Sequence, residues 1–174
     1  MKTVIVNLLG GPGTGKSTTR AEIFAALKWK GIECEEAPEF AKEIVWGEIT
    51  AKLDDQTYIF GKQNHRLFRL NGKVNVVLTD SPLLLSILYG KDMVPSFKPL
   101  VLETIGTYNN LNIFLNRTKP FNPKGRLQSS DEASGLDIKI KDLLNECNLP
   151  YIEYDAVKGN GEVIAEYIIK EYNL

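Results

Sequence analysis

Long apolar runs are missing from this 174-residue chain. None approaches the ~20 residues that cross a bilayer, so no membrane partner is expected. Cysteine is scarce, with Cys34 and Cys147 alone, and His65 is the single histidine. That inventory excludes a disulfide framework and a Cys/His zinc site, and it fits a reducing cytoplasm. A surplus of one charge is missing too. Lys plus Arg is 21 against 22 for Asp plus Glu, a net charge of −1. This excludes a polycation that coats nucleic acid and leaves room only for a local basic face. The apolar start Met1-Lys2-Thr3-Val4-Ile5-Val6 runs into glycines and a lysine rather than a cleavage site, so a folded N-terminus is expected. Repeats, low-complexity tracts and dividing linkers are absent. What remains is one domain over 1–174, large enough to bury a full core without staples.

The hydrophobic pattern alternates between two periods. Thr3 to Leu9 is a continuous β-branched run and reads as a buried strand. Lys16 to Lys30 reads as a helix with Ile23, Phe24 and Leu27 on one face and Gly31 as its stop. Ile32 to Glu36 is extended, and Pro38 opens a helical stretch with Phe40, Ile44 and Val45. Asp55 to Leu70 reads as a helix, Val74 to Thr79 as a strand, and Leu83 to Tyr89 and Ser96 to Tyr108 as helices. Leu111 to Leu115 is a strand. Ala133, Leu136, Ile140, Leu143, Leu144 and Cys147 recur at helical intervals behind a capping-box spacing at 129–132. Pro150 to Tyr154 is a last strand and Gly161 to Tyr172 a closing helix. Strands alternating with helices predict an α/β domain built on a parallel sheet. Trp29 and Trp46 are expected in the core or in helix packing. The stretch Lys62 to Leu70 reads either as a binder of acceptor phosphate or, the favoured reading, as a solvated face packed through Leu67, Phe68 and Leu70.

Gly10-Gly11-Pro12-Gly13-Thr14-Gly15-Lys16-Ser17 fits G-x-x-x-x-G-K-[ST], between a buried strand and an amphipathic helix. Backbone N–H groups can converge on phosphate oxygens only where side chains are out of the way. The helix N-terminus adds its dipole and free N–H groups. Residues Gly10 to Thr18 are therefore the candidate nucleotide cradle, with Lys16 for the β- and γ-phosphates and Ser17 for Mg²⁺.

The strand Val74 to Thr79 delivers Asp80, either as an oxygen ligand for the metal or as a turn cap before Pro82. Asp80 is followed by Ser81 and not by the glutamate with which motor-type ATPases activate water, and no Asn-Lys-x-Asp guanine-reading motif occurs. The segment Arg117 to Gln128 carries Arg117, Lys119, Lys124 and Arg126 and reads as a basic lid at about 117–130. Closed over a transferring phosphoryl group, such a lid excludes water and neutralises charge. A hydroxyl acceptor also needs a proton acceptor. Glu36 and Glu39 follow the second strand, and Glu39 is the first choice, with helix-dipole pairing as the bland alternative. The turn Asp155 to Asn160 is a candidate for adenine contact.

The cradle, the stretch Ala37-Pro38-Glu39-Phe40-Ala41-Lys42-Glu43, the stretch Thr79-Asp80-Ser81-Pro82-Leu83-Leu84-Leu85 and the late Asn116-Arg117 … Phe121-Asn122-Pro123-Lys124-Gly125-Arg126-Leu127-Gln128 together carry a resemblance. They resemble the thymidylate-kinase-like P-loop enzymes of bacteriophages, most of all the 5-hydroxymethyluracil DNA kinases. Their order is also similar to ribosylnicotinamide kinase domains. The resemblance implies a P-loop NTPase fold with a five-stranded parallel sheet flanked by helices, a lid, ATP as donor and Mg²⁺. It implies a hydroxyl acceptor, on a modified base in DNA or on a small nucleoside-type molecule. It also implies Glu39 as base. Lys16, Asp80 and Arg126, read from the cradle, the strand tip and the basic loop, are the other catalytic candidates. Thymidylate kinases carry Asp-Arg where this chain has Asp80-Ser81, so the arginine that grips a nucleotide acceptor's phosphate is missing here.

Overall fold

The computed structural model describes residues 2–90, 93–118 and 130–174. Among these, five strands form one sheet: β1 (Val4–Leu9), β2 (Cys34–Glu36), β3 (Val76–Thr79), β4 (Asn109–Asn116) and β5 (Ile152–Asp155). Their order is β2-β3-β1-β4-β5, and every pair is parallel. The helices are α1 (Lys16–Trp29), α2 (Phe40–Trp46), α3 (Gln56–Phe68), α4 (Leu85–Tyr89), α5 (Phe97–Gly106), α6 (Ser130–Glu146) and α7 (Asn160–Tyr172), with a 3₁₀ turn at Thr50–Leu53.

Alternation along β1 builds two cores. Val4, Val6 and Leu8 face α1 and α7 through Ile23, Leu27, Ile164 and Ile168. Ile5 and Leu9 face the other side, with Phe60, Leu67, Val101, Phe114, Ile140 and Leu144. Each of these side chains, fully buried, contributes roughly 1.5–3 kcal/mol of transfer free energy. Such burial on both faces is what parallel strands require. Parallel pairing also sends every strand's C-terminal end to one edge. Gly10, Ala37, Asp80, Arg117 and Ala156 follow the five strands along that edge.

β4 begins at Asn109, two residues before the expected start at Leu111, although asparagine is a poor strand former. The reason is an amide ladder. Asn7 Nδ2 donates to Asn110 Oδ1 and to Asn112 Oδ1, each at 3.0 Å. The two tryptophans depart from expectation. Trp29 is 90% exposed and Trp46 is 73% exposed. Each stands two residues, about 200° of helical turn, beyond a buried neighbour, Leu27 and Ile44. Helical phase outweighs residue type there. Phe68, next to buried Leu67, likewise faces solvent.

Candidate nucleotide and acceptor site

The loop after β1 wraps the N-terminus of α1. Gly15 caps that helix at φ 102°, a left-handed conformation that disfavours L side chains. A Cβ on Gly11 would lie 2.5 Å from the Ala133 carbonyl oxygen and 2.8 Å from Asp137 Oδ1, so only glycine fits between the loop and α6. Thr14 Oγ1 donates to the Gly11 carbonyl at 3.0 Å, and Thr19 N–H to the Gly15 carbonyl at 2.9 Å. Ser17 and Thr18 stand exposed on the first turn of α1, among its free N–H groups.

Lys16 lies back along the loop. Its Nζ donates to the Gly10 carbonyl at 2.6 Å and to the Gly11 carbonyl at 2.9 Å. Burial pushes its pKa down, while the negative charges of Glu39, Asp80 and Asp137 act in the opposite direction. Glu39 stands at the N-cap of α2, and its side chain caps nothing. Burial pushes its pKa up, Lys16 opposes that, and Asp80 reinforces it. Among the described residues Glu39 has no hydrogen-bond or ion-pair partner. Tyr89, at the end of α4, feels the same carboxylate, and its pKa is raised by burial and then by Glu39.

Asp80 is buried at the tip of β3 and pairs through Oδ1 with Arg20 NH1. The same guanidinium donates through Nε to Glu36 at 2.7 Å. The two glutamates after β2 therefore differ: Glu36 is neutralised by Arg20, and Glu39 is left open. Sequence reasoning passed over Arg20, although its signal was available. It stands four residues after Lys16, on the same face of α1.

Arg117 donates through NH1 to the Pro12 carbonyl at 2.9 Å and through NH2 to Asp137 Oδ2 at 3.0 Å. Asp137 Oδ1 accepts the Gly11 N–H. One carboxylate from α6 thus joins the loop to Arg117. No local pattern announces Asp137, because its partner Gly11 is 126 residues away in the chain. Lys119, Lys124 and Arg126, with most of the expected lid, lie outside the described residues. The Asp155–Asn160 turn reaches the cradle through Ala156, whose Cβ would lie 3.4 Å from a Cβ on Gly15.

The donors available for a divalent cation are oxygens. Ser17 Oγ is exposed, and Asp80 Oδ2 has no partner among the described residues. No cluster of three His, Cys, Asp or Glu suited to a metal occurs among the described residues. That sparse oxygen set fits Mg²⁺, which keeps several waters and relies on substrate phosphates, better than a cation needing an all-protein cage.

A glycine-lined anion cradle at the head of a helix, fed by the central strand of a parallel sheet and flanked by an acid at the next strand tip, defines a P-loop nucleotide-binding domain. A family model described as an AAA domain matches residues 5–162, and the chain belongs to that P-loop NTPase-like family. No curated protein matches the chain. Among the described residues, no helix is long and apolar enough to cross a membrane.

Proposed function

We propose that this domain transfers the γ-phosphoryl group of ATP to a hydroxyl group. The observation that carries this reading is Glu39, a half-buried carboxylate close to Lys16 with no partner among the described residues, while its neighbour Glu36 is held by Arg20. Glu39 takes the acceptor's proton as the new O–P bond forms and the β–γ bridging P–O bond breaks, leaving ADP. The loop amides and Lys16 hold the phosphates. Arg117 and Arg126 offset charge on the transferring group. Ser17 and Asp80 would hold Mg²⁺, which neutralises phosphate oxygens when bound.

The acceptor proposed is the 5-hydroxymethyl group of 5-hydroxymethyluracil in DNA, on the sequence resemblance to phage kinases. The alternative within the kinase class is a free nucleoside, a deoxynucleotide or nicotinamide riboside. A net charge of −1 predicts weak, transient contact with DNA in the first case. A second reading is an ATPase coupled to a partner protein, and the family match favours its nucleotide-hydrolysing part. Ser81 beside Asp80, in place of a water-activating glutamate, weighs against it.

The test is transfer from γ-labelled ATP to 5-hydroxymethyluracil DNA, to unmodified DNA and to the free nucleosides. Label in the modified DNA alone supports the proposal, with a KM for DNA that rises steeply with salt. Label in a free nucleoside alone, with a salt-insensitive KM, moves the assignment to the small-molecule alternative. Acceptor-free hydrolysis with no transfer to any hydroxyl defeats the kinase reading.

A further inference from the structure

Helix α3 carries a polar side chain where its buried stripe calls for an apolar one. Ile59, Phe60 and Leu67 are buried, and Gln63 among them is only 3% exposed. Its amide is used on every side. Oε1 accepts the Phe40 N–H at 3.1 Å. Nε2 donates to the Ala37 carbonyl at 3.3 Å and to Thr79 Oγ1 at 3.3 Å. Thr79 Oγ1 also accepts the Ser81 N–H at 3.1 Å. One side chain thereby joins the residues that flank Pro38 and Glu39 to the residues that flank Asp80.

Among the described residues two other ties join the strand tips. Arg20 bridges Glu36 and Asp80, and beyond β2 the Ala37 N–H reaches the Leu78 carbonyl of β3 at 2.9 Å. Both stop short of Glu39, whereas Gln63 grips the chain on either side of it. The Pro38 carbonyl is held from α3 as well, by Arg66 NH1 at 2.8 Å, but Arg66 does not touch the β3 tip. A buried amide is costly unless all its groups are paired, and an apolar side chain here would in turn leave the Phe40 N–H and the Ala37 carbonyl without this partner. What the amide adds is a fixed distance between two segments.

The geometry points to Gln63 as a positioning residue that holds Glu39 in register with Asp80, through the backbone of Ala37 and Phe40 on one side and Thr79 on the other. The inference rests on the reading of Glu39 as the base. Gln63 touches neither donor nor acceptor. Its effect runs through a carboxylate that also faces Lys16 and Arg20 from α1, Lys42 from α2, Asp80 from β3 and Tyr89 from α4.

The experiment is a double-mutant cycle of Gln63→Leu and Glu39→Gln, assayed with γ-labelled ATP and 5-hydroxymethyluracil, both free as the deoxynucleoside and in DNA. Gln63→Leu is expected to lower kcat roughly 10- to 100-fold, the scale of a misplaced catalytic group, with KM for ATP within about twofold of wild type. In the Glu39→Gln background the same change is expected to cost less than about threefold. Gln63→Asn, which keeps the amide on a side chain one methylene shorter, is expected to lie between wild type and Gln63→Leu, and it serves if the leucine variant does not fold. Thr3→Val, which removes two hydrogen bonds at the opposite end of β1, controls for lost stability and leaves kcat unchanged. Equal losses in both backgrounds, or a lowered melting temperature with kcat intact, overturn the inference while leaving the base in place. An unchanged kcat in Glu39→Gln alone overturns the base, and the inference with it. Amide exchange supplies a readout that needs no acceptor: Phe40 and Ser81 N–H should lose protection together in Gln63→Leu, and loosening at Phe40 alone refutes the link.

Discussion

Replacing Arg20 by methionine keeps most of the apolar stem and deletes the charge. In the native protein that charge serves two acids. The side chain of Arg20 is 14% exposed, that of Asp80 9% and that of Glu36 30%. Glu36 has enough water to replace its partner, so most of the cost falls on Asp80, left buried and unpaired. Removing one member of a buried pair costs ~3–5 kcal/mol. With the partial exposure on both sides, the low end, about 3 kcal/mol, is the expectation. For a chain of this length each kcal/mol moves the melting temperature by roughly 2–4 °C, so a loss of about 6–12 °C follows. The assay is a double-mutant cycle by thermal or urea unfolding with Asp80→Asn. Once residue 80 is neutral, losing Arg20 forfeits the partly exposed pair with Glu36 and a neutral contact at residue 80, together about 1 kcal/mol. The coupling between the two positions is then about 2 kcal/mol. A melting temperature within a degree or two of wild type, or the same loss in both backgrounds, would refute the claim that Arg20 holds a buried Asp80 charge.

Lys16→Ala removes a charge-assisted contact to phosphate worth ~1.5–3 kcal/mol, so calorimetry should show ATP affinity falling roughly 10- to 150-fold, with transfer abolished. Glu39→Gln should lower kcat by at least about 100-fold while KM for ATP holds. In wild type the acid limb of kcat should lie above 4.5, the ordinary glutamate value, because Glu39 must be ionised to act and burial raises its pKa. The same shift fixes the sign of a stability effect. The folded state holds the Glu39 proton more tightly than the unfolded chain, so that stabilisation is complete below 4.5 and is lost as pH rises through the raised pKa. At neutral pH Glu39→Gln should therefore melt at the same temperature as wild type or higher, and a clear loss there would count against an unpaired carboxylate. Gly161→Ala should destabilise by about 1–3 kcal/mol in thermal or urea unfolding. Its Cβ would fall 2.2 Å from Glu22 Cβ, where α1 and α7 touch. A variant as stable as wild type would mean the two helices separate at little cost.

What the chain reveals before folding is what depends on neighbours in sequence. The cradle is eight consecutive residues, and its glycines carry their own reason. The strands were legible as apolar runs, and α1 and α7 as periodic stripes. Trp29 and Trp46 face solvent because helical phase outweighs residue type; counting two residues on from Leu27 and Ile44 turns both outward. Gln63 had a visible mark, a polar residue on a stripe of Ile59, Phe60 and Leu67, but its partners Ala37 and Thr79 become neighbours only when β2 joins β3. Asp137 had no mark at all. Its relation to Gly11 and Arg117 exists only once α6 is laid against the loop, and nothing local distinguishes it from any other acid on a helix.

The sheet order bears on what the carboxylate after β2 can reach. β1 carries the cradle and β3 lies beside it, so Asp80 emerges one strand away; β2, which leads to Glu39, is the next strand out. At about 4.8 Å per strand, the tip that bears Glu39 is set back roughly 10 Å from the strand that bears the phosphate loop. A single attacking water lies ~3 Å from both the phosphorus it attacks and the base that orients it, so a hydrolytic carboxylate would be better placed just past the tip of β3, where Asp80 is held by Arg20 and the next residue is Ser81. A base one strand farther out suits an attacking oxygen attached to something wide. Tyr89 adds an aromatic surface beside that carboxylate. On the proposed reading of Glu39 as base, the lateral span between it and the cradle is the physical reason to test an acceptor with the breadth of a ring before testing water.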